Sequence, residues 1–382
     1  MHRAKGGIVE VRTILVTCGE TSGDEHASLL IRKIRSIDPG CRVIAMGGEK
    51  LKRAGAEVIF PLEEFAFMGF AEIVSGIPRI IALENKLKKI LREEKIDLYI
   101  PVDYPGMNLR IAGYARSRGV PVLYYISPQV WAWGGWRIGR IRRSVDLMAV
   151  ILPFEEKFYR DQNIPVYCAG HPMLDEIPSP GGPKRLPESG GEIKIVLYPG
   201  SRRQEMERVF PAILGAVGII ASKIPEARFV LGLAPIFEES EIDIPPALKG
   251  RVTISRHGVS ELDSATLAIA TSGTVTLQAA LSGTPTIVVY RTSGFTYTLG
   301  KMLVRIPHIA MPNVLGEKEI VPELIQDEVT PEKIAAEALK LLSDSRKYSE
   351  ISMEQLALRE LLYKENGLEK LAHKAIELCL EH

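Results

Sequence analysis

Hydrophobic positions along this chain come in two alternating rhythms. Short unbroken apolar runs, such as Thr13-Ile14-Leu15-Val16-Thr17, give way to longer stretches in which apolar residues return every three or four positions. The short run predicts a strand covered on both faces, and the wider spacing predicts an amphipathic helix. In the first half the pattern predicts strands at 12–17, 42–46, 57–60, 97–102, 121–126, 146–152 and 165–168. Helices are predicted at 24–36, 48–54, 76–94, 107–118, 136–143 and 154–161. Strands that alternate with helices imply parallel β-α-β units with right-handed crossovers.

The alternation stops at 176–192, where four prolines and four glycines exclude a helix or a central strand. It restarts with strands at 193–198, 228–232, 251–255, 266–270 and 285–290, and helices at 203–222, 259–263 and 274–282. From 331 onward the pattern is helical, with breaks near Ser343 and Gly367. The expected organisation is an α/β domain over 1–175, a semi-stiff linker over 176–192, and a second α/β domain over 193–342. C-terminal helices over 343–382 are expected to pack back on the N-terminal domain or on a partner subunit.

Two strand-to-helix junctions share their punctuation. The strand at 13–17 runs into Gly19-Glu20-Thr21-Ser22-Gly23-Asp24, and the strand at 193–198 runs into Pro199-Gly200-Ser201-Arg202. A helix start leaves backbone N–H groups unpaired, and these attract anions. One such unit in each half predicts two open α/β domains facing a shared site.

Composition narrows the function. A chain of 382 residues is comfortable for two domains. A net charge of +1 gives no global field, so nucleic acid is not an expected partner. Cys18, Cys41, Cys168 and Cys379 form no C-x-x-C and fit a reducing compartment. The seven histidines are scattered, so no metal is expected. Residues 1–7 are basic but lack the apolar core of a signal peptide, and no apolar run reaches 18 residues. Association with a membrane surface stays open.

Candidate chemistry sits at the junctions. Gly19 to Asp24 reads either as a turn with Asp24 capping the helix, or as a pocket wall with Glu20 in a cleft. Asp103, in Pro101-Val102-Asp103-Tyr104-Pro105-Gly106-Met107-Asn108, ends a strand where open sheets place ligands. It reads as a general base or as a turn aspartate. Ser201 and Arg202 combine backbone donors with a guanidinium and suit a diphosphate, as does Ser272-Gly273-Thr274. Trp131, Trp133 and Trp136 lie beside a basic group of Arg137, Arg140, Arg142 and Arg143. They read as core, as a sugar-stacking surface, or as a surface for amphipathic material. Phe65, Phe67, Met68 and Phe70 in segment 60–74, and Phe295 and Tyr297 in segment 295–315, read as core or as lipid contacts. Lys301, Arg305 and His308 interleave the second segment as in a helix lying on an anionic membrane.

These motifs in this order resemble lipid-A-disaccharide synthase, nearly end to end. To those already quoted the resemblance adds Phe67-Met68-Gly69-Phe70-Ala71-Glu72, Ser127-Pro128-Gln129-Val130-Trp131-Ala132-Trp133, Leu152-Pro153-Phe154-Glu155, Gly170-His171-Pro172, Tyr290-Arg291 and Pro312-Asn313. It implies a GT-B fold of two Rossmann-like open parallel-sheet domains around a central cleft. It implies transfer from UDP-2,3-diacylglucosamine to 2,3-diacylglucosamine 1-phosphate, with UDP released and no cofactor. Asp103 and Arg202 match positions expected to be essential.

The resemblance assigns the nucleotide sugar to Gly200, Ser201, Arg202, Ser272, Gly273, Thr274, Gln278 and Asn313. It assigns the acceptor side to Gly19, Glu20, Ser22, Asp24 and Asn108. It implies a peripheral protein at the inner face of the cytoplasmic membrane and leaves open a homodimer through the C-terminal helices. Two departures stand out. Gln278 replaces a glutamate expected to hold ribose hydroxyls, and Gly134-Gly135 replaces a more polar or basic stretch. The alternatives are a UDP-N-acetylglucosamine 2-epimerase or another GT-B enzyme with a non-lipid substrate, and a silent lipid- or nucleotide-binding protein.

Overall fold

A computed structural model describes residues 11–62, 73–188, 191–293 and 307–380. The chain divides into two compact units, Met1–Pro172 with Lys364–His382, and Met173–Tyr363.

The first unit is built on β1 (Thr13–Cys18), β2 (Arg42–Gly47), β3 (Glu57–Pro61), β4 (Leu98–Val102), β5 (Leu123–Tyr125), β6 (Leu147–Val150) and β7 (Val166–Cys168). All pairs are parallel, in the order β3-β2-β1-β4-β5-β6-β7. The connecting helices are α1 (Thr21–Ile37), α2 (Glu49–Arg53), α3 (Ile73–Glu93), α4 (Pro105–Ser117), α5 (Ile138–Ser144) and α6 (Pro153–Asp161). Every residue of β1 and β4 is buried, as expected of central strands covered on both faces. The chain winds from β1 out to β3, then returns to β4 on the other side of β1. The reversal between β1 and β4 is where an open sheet leaves a crevice at its strand ends.

The second unit repeats the plan. After α7 (Met173–Glu176) come β8 (Lys194–Tyr198), α8 (Arg203–Lys223), β9 (Arg228–Gly232), β10 (Val252–Ser255), α9 (Glu261–Ser264), β11 (Leu267–Thr271), α10 (Thr274–Leu281) and β12 (Thr286–Tyr290). Then follow α11 (Met311–Gly316), β13 (Glu323–Ile325), α12 (Pro331–Ser343), α13 (Ser345–Leu362) and, in the first unit, α14 (Gly367–Leu380). The order is β10-β9-β8-β11-β12-β13, again all parallel, and the reversal falls between β8 and β11.

Each strand predicted from the pattern is present. The unpredicted β13 is three residues long and opens with a glutamate, so it leaves no apolar run to read. Segment 295–315 is not a continuous surface helix where it is described. Residues 307–310 are irregular, and α11 buries Asn313 and Leu315.

The C-terminal helices divide between the units. α13 belongs to the second: Tyr348 Oη donates to the Thr266 carbonyl at 2.6 Å, Ser352 Oγ to Gly283 at 2.6 Å, and Arg359 to Leu281 and Ile177, each at 2.9 Å. α14 alone packs on the first unit, against α1, and Tyr167 Oη donates to its first residue, Gly367, at 3.2 Å. The Pro/Gly-rich stretch is anchored where it is described. The Lys184 ammonium donates to the carbonyls of Leu262, Asp263 and Ala265 at 2.6, 3.1 and 2.9 Å, closing the end of α9. Burial pushes this ammonium down to about 8.

Candidate active site

In the first unit the reversal brings two junctions side by side, Gly19-Glu20 after β1 and Asp103-Tyr104 after β4. Asp103 and Tyr104 both have left-handed backbones, with φ of 45° and 49°. Such conformations cost roughly 1–3 kcal/mol each in a non-glycine residue and persist only where neighbours hold them. The neighbours are specific. The Asp103 N–H donates to the Tyr125 carbonyl at 3.0 Å. The Asp103 carbonyl accepts from Asn108 Nδ2 at 2.8 Å and from Tyr124 Oη at 2.7 Å. With the backbone fixed, the Asp103 carboxyl is set at the strand end.

Desolvation, followed by the like charge of Glu20, raises this carboxyl to about 6. A carboxylate poised near neutrality suits a general base. Glu20 is exposed ahead of α1, and Ser22 is half-buried in its first turn. A Cβ on Gly19 would overlap the Tyr104 ring, so glycine is what lets the two junctions touch.

Two residues expected on the acceptor side have structural work instead. Asn108 is fully buried; its Oδ1 accepts from Thr17 Oγ1 at 2.8 Å while its amide holds the Asp103 turn. It positions Asp103 and cannot reach a ligand. Asp24 neither caps α1 nor lines a wall. It is buried and accepts from the N–H groups of Gly48, Lys50 and Leu51 at 2.7, 3.0 and 3.3 Å, which makes it the cap of α2. The reason is α1 itself: Asp24 lies inside that helix, one turn past its start, facing the next β-α junction.

The tryptophan segment follows β5. Glu155 is buried beneath it: Oε1 accepts from Ser127 Oγ at 2.6 Å and Trp131 Nε1 at 3.0 Å, and Oε2 from the Leu152 N–H at 3.3 Å. Burial pushes this carboxyl up to about 7. Trp131 is half-buried, with its indole N–H tied inward and its ring edge-on to Phe154 at 4.8 Å. Trp133 and Trp136 remain 41% and 68% exposed. Phe65, Phe67, Met68, Phe70, Phe295 and Tyr297 lie outside the described residues.

The second unit presents two helix starts at its reversal. Gly200, with φ 128°, turns the chain from β8 toward α8. The N–H groups of Ser201 and Arg202 then donate to Glu205 Oε2 at 3.0 and 3.3 Å, and Arg202 Nη1 donates to Oε1 at 2.9 Å. The donors expected to meet a diphosphate thus hold an intramolecular carboxylate. Glu205 was not among the expected site residues, although a glutamate three positions into a helix is a capping signal.

At the second start, Ser272 Oγ donates to the Ile309 carbonyl at 2.8 Å. Gly273 and Thr274 are exposed, and open space surrounds the position of a Cβ on Gly273. Gln278 is half-buried one turn along α10.

Asn313 is corrected as a nucleotide ligand. It is fully buried, its amide donates to the Val321 carbonyl and Glu323 Oε1, both at 2.8 Å, and its Oδ1 accepts from Ile320 and Val321 at 2.7 and 2.9 Å. An asparagine amide has two donors and two acceptor positions, and the local chain uses all four. Glu323 also accepts from the N–H groups of Ile309 and Ala310, at 3.1 and 2.9 Å, so the pair shapes the loop that reaches Ser272.

Among the described residues, no helix is long and apolar enough to cross a membrane, and no group of three or more His, Cys, Asp or Glu could hold a metal ion.

Similarity to solved structures extends over the whole fold. The glycotransferase of kitacinnamycin matches with a TM-score of 0.62 at 14% identity, covering 97% of this chain and 99% of that one. A UDP-GlcNAc 2-epimerase from Neisseria meningitidis, bound to UDP-GlcNAc, matches with a TM-score of 0.56 at 12% identity, covering 97% and 100%. At such identities the likeness establishes the GT-B architecture. Sequence similarity is far closer to two lipid-A-disaccharide synthases. That of Trichlorobacter lovleyi is 41% identical over 342 residues, covering 87% of this chain and 89% of the relative. That of Nitrosococcus oceani is 38% identical over 358 residues, covering 91% and 92%. The family model described as lipid-A-disaccharide synthetase matches residues 14–376, from β1 into α14, and the chain belongs to that family.

Proposed function

We propose that this glycosyltransferase joins UDP-2,3-diacylglucosamine to 2,3-diacylglucosamine 1-phosphate, giving the β(1-6)-linked disaccharide 1-phosphate and UDP. The donor's α-linkage becomes β, so a single displacement with inversion is expected. The acceptor hydroxyl attacks the anomeric carbon, its proton passes to a base, and the bond to UDP breaks. Asp103 is the base. The observation that carries this assignment is its carboxyl, raised to about 6 at a strained turn on the reversal of the first sheet.

Negative charge grows on the departing diphosphate. Arg202, with the backbone donors of 200–202 and 272–274, offsets it, and Gln278 serves the ribose. Preorganised donors of this kind are worth roughly 3–4 kcal/mol each. Glu205 gives up its contacts with the 201–202 turn as the diphosphate arrives. No metal or other cofactor is assigned a role.

Both substrates carry acyl chains, so the enzyme works at the inner face of the cytoplasmic membrane. Trp133, Trp136 and the apolar residues of 65–70 and 295–297 contact lipid. A homodimer through the C-terminal helices is a further expectation, which light scattering checks. The epimerase alternative has only fold likeness in its favour.

The test is incubation of purified protein with both acylated sugars, with and without detergent. UDP and a disaccharide 1-phosphate are expected in equal amounts, and the absence of both products in either condition would sink the assignment.

A further inference from the structure

One cationic cluster in the first unit has no part in the chemistry above. A short 3-10 turn, Gly135–Arg137, leads into α5 and places the Arg137 guanidinium 4.6 Å from the Trp133 ring centre and 5.1 Å from that of Trp136. The indoles lie edge to face, 6.4 Å apart. Gly134 makes room for the cation: its φ is 80°, and a Cβ there would stand 2.8 Å from Arg137 Nη1. Among the described residues no carboxylate forms an ion pair with Arg137, in contrast to Arg116, Arg160, Arg202 and Arg203.

A guanidinium held by aromatic faces keeps its in-plane N–H donors for a ligand, and their fork matches the oxygens of a phosphate. The cluster also lies close to the reacting end of the sheet. The segment that carries it follows the C-terminal end of β5, the parallel neighbour of β4 with Val102 opposite Tyr125. It therefore leaves the same end of the sheet as the Asp103 turn, where the Tyr124 hydroxyl donates to the Asp103 carbonyl at 2.7 Å. Arg140, exposed three residues further on, adds positive field.

We propose that Arg137, clasped by Trp133 and Trp136, binds the phosphomonoester of the acceptor sugar and selects acceptors that carry one. This rests on the acceptor assigned above. An anion held at the end of the sheet that carries Asp103 belongs to the substrate that Asp103 deprotonates, whereas the diphosphate of the donor is assigned to the second unit.

The experiment compares kcat/KM for 2,3-diacylglucosamine 1-phosphate with that for the same sugar lacking the phosphate, in the full-length wild type, Arg137→Gln and Arg137→Lys. Loss of a charged, bidentate contact should lower kcat/KM for the phosphorylated acceptor by about 10–100-fold in Arg137→Gln, mainly through KM. The unphosphorylated acceptor should change by less than about twofold, and Arg137→Lys should recover part of the loss. Equal losses on both acceptors, or an unchanged preference, would overturn the proposal. Flotation with phosphatidylglycerol vesicles separates the two sources of phosphate. If Arg137→Gln weakens flotation and keeps the acceptor preference, the cation serves the membrane and the proposal fails. If the wild type makes no disaccharide at all, the reaction assignment falls separately. Calorimetric binding of 2,3-diacylglucosamine 1-phosphate to wild type and Arg137→Gln then decides the inference, since equal affinity would refute it.

Discussion

The two sheet reversals are built alike and carry different groups. Each sets two strand-to-helix junctions side by side. In the first unit the junctions carry Glu20 and Asp103, and the closeness of two carboxylates helps raise the Asp103 carboxyl to about 6. In the second they carry backbone donors, Arg202 and the open start of α10. The turns also differ in strain. Gly200 takes a φ of 128° freely, whereas Asp103 and Tyr104 are pressed into left-handed conformations that Asn108 and Tyr124 hold. One topology therefore presents two carboxylates at its reversal in one unit, and backbone donors with a guanidinium in the other. The choice is made by the few residues after each strand.

The sharpest way to break this comparison is Asp103→Asn. If the first reversal supplies the base, kcat falls by about 10²–10⁴-fold while KM for the UDP-sugar barely moves. Turnover equal to wild type would remove Asp103 from the chemistry. Next in size is Arg202→Ala, for which steady-state rates should show a loss of about 10²–10³-fold. A loss confined to the acceptor KM would place Arg202 on the wrong substrate.

Glu205→Gln probes the carboxylate now held by the 201–202 turn. With the competing charge gone, calorimetry should find UDP bound more tightly, by about 3–10-fold. Weaker binding would mean that Glu205 helps the turn receive the ligand. The smallest effect is a shift along the pH axis. The ionised form of Asp103 exists above about 6 and is lost below it, so kcat/KM should fall as pH drops through that value. Glu20→Gln removes a like charge, lowers the Asp103 carboxyl and moves this acid limb to lower pH. A limb that stays in place would show that desolvation alone sets it.

Legibility followed how local each signal is. Strands covered on both faces leave unbroken apolar runs, so β1, β4, β8 and β11 were plain in the chain, as were the turns that follow them. Asp24, Asn108 and Asn313 were legible as polar residues beside those turns, but not in their roles. Each hydrogen-bonds to backbone brought near by folding: Asp24 to residues 48–51, Asn108 to Thr17 and to Val102-Asp103, Asn313 to residues 320–321. Trp131 and Trp136 looked equivalent in sequence. Glu155, from the following β-α unit, draws one inward, while the other stays exposed.

By itself, then, the sequence determined the alternation of strands and helices, the pairing of junctions and the family, because these depend on residue type and near-neighbour spacing. Only the tertiary structure decided which polar residues remain for a ligand. A side chain is available for chemistry after the backbone groups around it have found partners, and those partners are set by how the chain folds back, over a few residues for Asn313 and over more than twenty for Asp24. Folding assigned Asp24, Asn108 and Asn313 to the scaffold, left the Asp103 carboxyl poised near neutrality, and set Arg137 between two indoles without a carboxylate partner among the described residues.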